Sequence, residues 1–159
     1  MSDRMSTPRE DGFSMPAEWE SHDACLMEWP TVTRRDFWAD RFDEATHDYA
    51  AVATAIGAFE PVVMVCDPDQ EAQARRLCGE NVEILPLPID DSWMRDNGPI
   101  FVRDGSGRVA LVHFRFNSWG EVPPVRQGRG CATPHRRSPG DAALRGAIRA
   151  RGWVVLRGW

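Results

Sequence analysis

The run Pro61-Val62-Val63-Met64-Val65-Cys66 constrains the fold more than any other stretch of the chain. Its successive apolar side chains, many of them β-branched, leave no polar face, so the strand they form is buried on both sides. Such a strand needs helices to cover it, and its flanks supply them. Trp38, Phe42, Ala45, Tyr49, Val52 and Ile56 recur at spacings of three and four. They predict one helix, with Asp36 as N-cap and Gly57 as its stop. Asp67-Pro68 predicts a second helix, opened by an N-cap and a first-turn proline and closed by Gly79. Ala24 to Trp29, stopped by Pro30, and Val82 to Leu87 read as further strands. After a polar loop, Ile100 to Val102 and Val109 to Phe116 flank Asp104-Gly105-Ser106-Gly107, a hairpin pattern. The expected order is β-α-β-α-β-loop-β-β, a mixed α/β layer arrangement.

At 159 residues the chain suits one domain. Residues 1–12 are polar and are expected to be disordered. No apolar run is long enough to span a bilayer, and the polar start lacks the apolar core of a signal peptide, so a cytoplasmic protein is expected. Cys25, Cys66, Cys78 and Cys131 are widely spaced, which argues against a zinc ribbon or a disulfide scaffold. Cys25 and Cys66 fall in strands expected to be buried, where cysteine acts as a small core residue. No grouping of carboxylates and His22, His47, His113 or His135 has metal-ligand spacing, and no cofactor is implied. Residues 1–120 carry 11 arginines against 22 carboxylates, whereas 121–159 carry 8 against 2. The acidic body opposes nucleic acid as a partner.

The segment Asp90-Asp91-Ser92-Trp93-Met94-Arg95-Asp96-Asn97-Gly98-Pro99 places three carboxylates and an indole between two expected strands. A planar cation such as a guanidinium suits it: a carboxylate accepts two parallel N–H bonds from the group, and an aromatic face attracts it. Turn chemistry fits the same residues, since Asp, Ser and Asn-Gly-Pro form turns on composition alone. Arg95 could then pair with Asp91 or Asp96 as a structural ion pair.

The segment resembles the D-D-S-W-x-R-D-x-G-P signature of the agmatine deiminase family, also called the bacterial-type peptidylarginine deiminase family. Met15-Pro16-Ala17-Glu18-Trp19, with His22, Met27, Trp29 and Pro30, resembles that family's opening M-P-A-E-W…H…M-x-W-P. Phe116-Asn117-Ser118-Trp119-Gly120 resembles its F-N-x-W-G. The resemblance implies a pentein α/β-propeller of ββαβ units, held here as an incomplete, N-terminal part over residues 13–120. It implies conversion of agmatine to N-carbamoylputrescine and ammonia, a step of putrescine biosynthesis, without metal or cofactor. A thiolate attacks the guanidinium carbon, ammonia leaves, and water frees the amidino group from sulfur. The resemblance assigns Asp96 to the guanidinium nitrogens and Trp93, with Asp90 or Asp91, to the same pocket. Trp29 is placed near the substrate entrance or in a structural role. The implied partner is a small cationic guanidine, agmatine or an arginine side chain, with no nucleic acid and no membrane. The family's thiol in G-G-G-N-I-H-C, its H-x-D histidine and its L-E-G-G glutamate have no counterpart in this sequence, so an inactive fragment is expected.

The resemblance stops after Gly120, where an Arg/Gly-rich tail (121–159) begins. Back-translation shifted by one base permits R-Y-E-A-P-F-V-L-E-G-G-S over 143–154 and K-Y-P-P-Y-D-K over 121–127, both resembling family strings. The tail is therefore read as out-of-frame translation. Two other functions remain open on the residues alone: a non-catalytic module binding a guanidine or a protein through the acidic loop, and a nucleic-acid binder using the tail.

Overall fold

The computed structural model describes residues 7–89, residues 91–112 and the backbone of 154–156. The first layer is a parallel sheet of β2 (Cys25–Glu28), β3 (Val62–Cys66) and β4 (Val82–Pro86), with β3 in the middle. Cys25 pairs with Val62, and Val62 with Val82, so all three strands start level. Parallel neighbours need a crossover between them. Here the crossovers are α2 (Phe42–Gly57) and α3 (Glu71–Cys78). All five β3 residues are buried, as their apolar run requires. Val62, Met64 and Cys66 share a core with Trp29 of the following loop, Ala50 and Ala53 of α2, and Ala74 and Cys78 of α3. Asp67 caps the turn that leads into α3, accepting from the Asp69 N–H at 3.0 Å, and Gly79 (φ 73°) ends that helix.

The second sheet has the order β1-β5-β6-β7. β5 (Ile100–Asp104) and β6 (Val109–Val112) form the expected hairpin. Its tip is tied by Asp104, whose Oδ1 accepts from the N–H groups of Ser106 (2.9 Å) and Arg108 (3.0 Å). Those bonds and the Arg108 guanidinium hold the Asp104 carboxyl well below the usual range, the Ser106 hydroxyl being the largest cause. β1 (Phe13–Ser14) pairs antiparallel with β5, and the backbone of β7 (Val154–Leu156) pairs parallel with β6.

In residues 7–12, Thr7 and Glu10 bond reciprocally, and the Phe13 N–H donates to Pro8 O at 2.8 Å, leading straight into β1. Two expectations change. The helix expected from Asp36 to Gly57 is two helices. Asp36 is not an N-cap but lies in the short α1 (Arg35–Trp38), and the chain turns at Ala39 (φ 50°) before α2 starts. Within α2 the expected stripe holds at Phe42 and Ala45, which are buried, and at Tyr49 and Ile56, which pack against the core, but Val52 is 50% exposed and Ala50 and Ala53 are buried in its stead. Small side chains let the helix lie close to the sheet, and the expected stripe favoured the larger ones. Residues 113–116 of the expected second hairpin strand, Phe116 to Gly120, and the tail apart from the β7 backbone lie outside the described residues.

Candidate functional site

The loops leaving β2 and β4 meet at the carboxyl end of the parallel sheet, where ligands of open α/β sheets bind. The loop after β2 is held down from below. Buried Gln70 donates to Pro30 O at 3.0 Å and accepts from the Val32 N–H at 3.3 Å. The loop after β4 begins with the Leu87 N–H donating to Cys66 O at 2.9 Å and runs to α4 (Met94–Asn97), which packs on β2. The sequence pattern showed this stretch as loop, because a single helical turn carries no periodicity to read.

Asp91 is buried, and its partners are internal. Its Oδ2 accepts from Arg34 Nε at 3.0 Å and lies 2.9 Å from Arg34 Nη2, while its Oδ1 accepts from the Ser92 N–H at 3.0 Å. Arg95 pairs with neither expected aspartate. It reaches Glu18 at 3.1 Å and so ties α4 to the Met15–Trp19 segment. Arg103 of β5 pairs with Glu20 at 3.2 Å. Trp93 stacks on Trp38 at 6.1 Å between ring centroids and 26° between planes, and meets Phe37 edge-on at 5.9 Å. Trp38 in turn meets Tyr49 of α2 edge-on at 6.1 Å. Asp96 is exposed on α4, one turn from Trp93, and its N–H donates to Trp93 O at 2.8 Å. Trp29 is 0% exposed, inside the sheet–helix core. Asp90 lies outside the described residues.

Electrostatics divide the nucleophile question from the binding question. Burial pushes the Cys66 and Cys78 thiols up to about 11 and raises Cys25, with Glu60 reinforcing the last. None is an activated thiolate. His22 sits between Glu60 (3.1 Å) and Glu18 O (3.0 Å), and His47 bonds Asp43 O at 2.8 Å. Cys131, His113 and His135 lie outside the described residues. Burial raises the Tyr49 phenol. The neighbouring Ser92 hydroxyl opposes the rise, and the Asp91 and Glu28 carboxylates add to it. Among the described residues no group of three His, Cys, Asp or Glu side chains could hold a metal ion, and no helix is long and apolar enough to cross a membrane.

Arg34 and Phe37 carry no motif that marks them as neighbours of the signature loop, and Trp38 and Tyr49 fit the expected helix stripe as well as that role. Their only sequence signal was density of arginine and aromatics just after Trp29-Pro30.

A βαβαβ layer with an aspartate- and tryptophan-bearing turn at its carboxyl end defines a part of a pentein-type α/β-propeller. Solved structures bear this out. The agmatine deiminase of Enterococcus faecalis superposes with a TM-score of 0.77 at 30% identity, over 96% of this chain and 39% of that one. The agmatine deiminase of C. jejuni has the same fold, with a TM-score of 0.62 at 18% identity, over 91% of this chain and 39% of its own. Agmatine deiminases of Pseudomonas aeruginosa and Ectopseudomonas mendocina are 46% and 43% identical over 121 residues, 76% of this chain and 32% of theirs. The Porphyromonas-type peptidyl-arginine deiminase model matches residues 14–144, and the chain belongs to that family. It spans about a third of the length of the curated relatives it matches.

Proposed function

We propose that residues 13–120 form the guanidine-gripping portion of an agmatine deiminase-type hydrolase, the reaction being agmatine plus water to N-carbamoylputrescine and ammonia. The observation that carries this reading is the pairing of Asp96 with Trp93 on one turn at the carboxyl end of the sheet. Asp96 accepts from the guanidinium nitrogens, and the Trp93 face attracts the flat cation. Asp90, next to Asp91 in the signature, is assigned to the same ligand on the family resemblance. Holding the guanidinium by its nitrogens leaves its central carbon open to attack. A thiolate then forms a bond to that carbon as ammonia departs, and water cleaves the carbon–sulfur bond. The described thiols do not fill that role, because burial holds each of them protonated near neutral pH. The substrate is a small cationic guanidine, agmatine in preference to peptidyl arginine on the strength of the agmatine deiminase relatives. The frame change after Gly120 is retained as the origin of the Arg/Gly-rich tail, and codons incompatible with the shifted reading would exclude it.

Calorimetry of the 159-residue chain with agmatine tests the grip. Asp96→Ala is expected to weaken binding about 10- to 100-fold, matching the roughly 1.5–3 kcal/mol of a hydrogen bond to a charged group. Putrescine, which keeps the amine and lacks the guanidinium, is expected to bind no better to the parent than to the variant. Equal agmatine affinity in the two proteins overturns the reading. In an ammonia-release assay the 159-residue chain is expected to be inactive on agmatine, and turnover abolished by no cysteine substitution would contradict the thiol mechanism.

A further inference from the structure

Arg34 and Asp91 lie 57 positions apart and form a part-buried ion pair, with side-chain exposures of 40% and 11%. Two guanidinium nitrogens converge on Asp91 Oδ2, and Oδ1 is occupied by the Ser92 N–H. One of the carboxylates that the signature offers to an incoming guanidinium is thus filled by a guanidinium from the chain itself. The same two segments touch again a few residues on, where Phe37 and Trp38 of α1 pack against Trp93. Residues 34–38 and 91–93 therefore meet at two points, one ionic and one aromatic.

We propose that Arg34 is a positioning residue of the guanidine site: through Asp91 it pins the signature loop so that Trp93 stacks on Trp38 and α4 presents Asp96 beside it. The consequence for ligand rests on the proposed function; the consequence for the loop does not. A planar guanidinium that brings two nitrogens in fixed geometry to Oδ2 suits this task better than the compact ammonium of lysine. Asp91 serves the site by holding its frame, and Asp96 is the carboxylate that the proposed function assigns to the ligand. Tyr49 backs the arrangement from α2, since it touches Trp38 and senses the Asp91 charge.

The test uses the full chain with Arg34→Gln, Arg34→Lys and Asp91→Asn. Hydrogen exchange of Ser92–Gly98 amides and the Trp93 and Trp38 indole N–H resonances, assigned with Trp93→Phe and Trp38→Phe, report on the loop without any ligand. Arg34→Gln and Asp91→Asn are expected to speed exchange of those amides at least tenfold and to shift both indole signals, while β3 amides keep their protection. Arg34→Lys is expected to recover part of both effects. Agmatine affinity should fall in the same order. Unchanged loop exchange and indole signals in Arg34→Gln overturn the proposal. So does an equal loss of protection in β3, which would mark a contribution to overall stability alone. If the loop loosens as expected but agmatine binds neither parent nor variants, the positioning role stands and the guanidine reading fails.

Discussion

Gly98 shows how a single residue in the signature can be fixed by backbone proximity. Its φ lies in the ordinary region, so conformational freedom does not explain it. A Cβ at this position would fall on the Met94 carbonyl oxygen and sulfur. The glycine closes α4, donating its N–H to Met94 O at 3.0 Å, and anything larger would push the turn that carries Asp96 away from its seat. Gly98→Ala is expected to cost about 1–3 kcal/mol, as overpacking does, read as a lower urea midpoint, and to weaken agmatine binding further than that loss of fold explains. Trp29 makes the opposite point. Its neighbours in sequence belong to a family motif, yet its side chain is wholly inside the core and its Nε1 has no hydrogen-bond partner among the described residues. A motif residue near a site can be needed for packing alone, and only the three-dimensional arrangement separates the two.

Elements built on local patterns were legible in the sequence. β3 was carried by its unbroken apolar run, α3 by Asp67-Pro68 and Gly79, and the β5–β6 hairpin by the Asp104 turn. What escaped depends on contacts distant in sequence. β1 exists through pairing with β5 some 90 residues later, and the Arg34–Asp91 pair spans 57. The break between α1 and α2 escaped because 3.6-residue periodicity continues across it while the backbone does not. Ala39, at φ 50° and ψ −126°, occupies a region that disfavours a Cβ, and it is the one non-glycine with positive φ among the described residues. The turn sends Trp38 towards Trp93 rather than along α2. Ala39→Gly is expected to raise stability by about 1 kcal/mol, the relief of strain less the added entropy of the unfolded glycine. Thermal unfolding checks this, and an unchanged or lowered Tm would mean that the turn carries no strain.

Over the whole molecule, composition makes the alkaline behaviour unusually simple to interpret. The chain has no lysine, one tyrosine and four cysteines, so thiols and one phenol dominate its side-chain titration between about pH 9 and 11. The described members of that set are all shifted the same way. Cys66 and Cys78 sit in the shared sheet–helix core and rise to about 11, chiefly through burial, and Cys25 and Tyr49 rise as well. A group whose folded value exceeds its unfolded one keeps its proton longer in the folded state. Its contribution is then complete below the unfolded value and drains away as pH climbs to the folded one. For the two core thiols that window runs from about 9 to about 11. Urea midpoints are therefore expected to hold steady from pH 7 to 8.5 and to fall through pH 9–11. Iodoacetamide at pH 8 should label Cys66 and Cys78 only after unfolding, because the attacking species is the thiolate. A Cys66→Ala/Cys78→Ala protein is expected to start less stable, for want of the core sulfurs, and to lose less as pH rises. If its midpoint falls as steeply as the parent's, the alkaline loss comes from elsewhere and the two thiols are not what the core holds protonated.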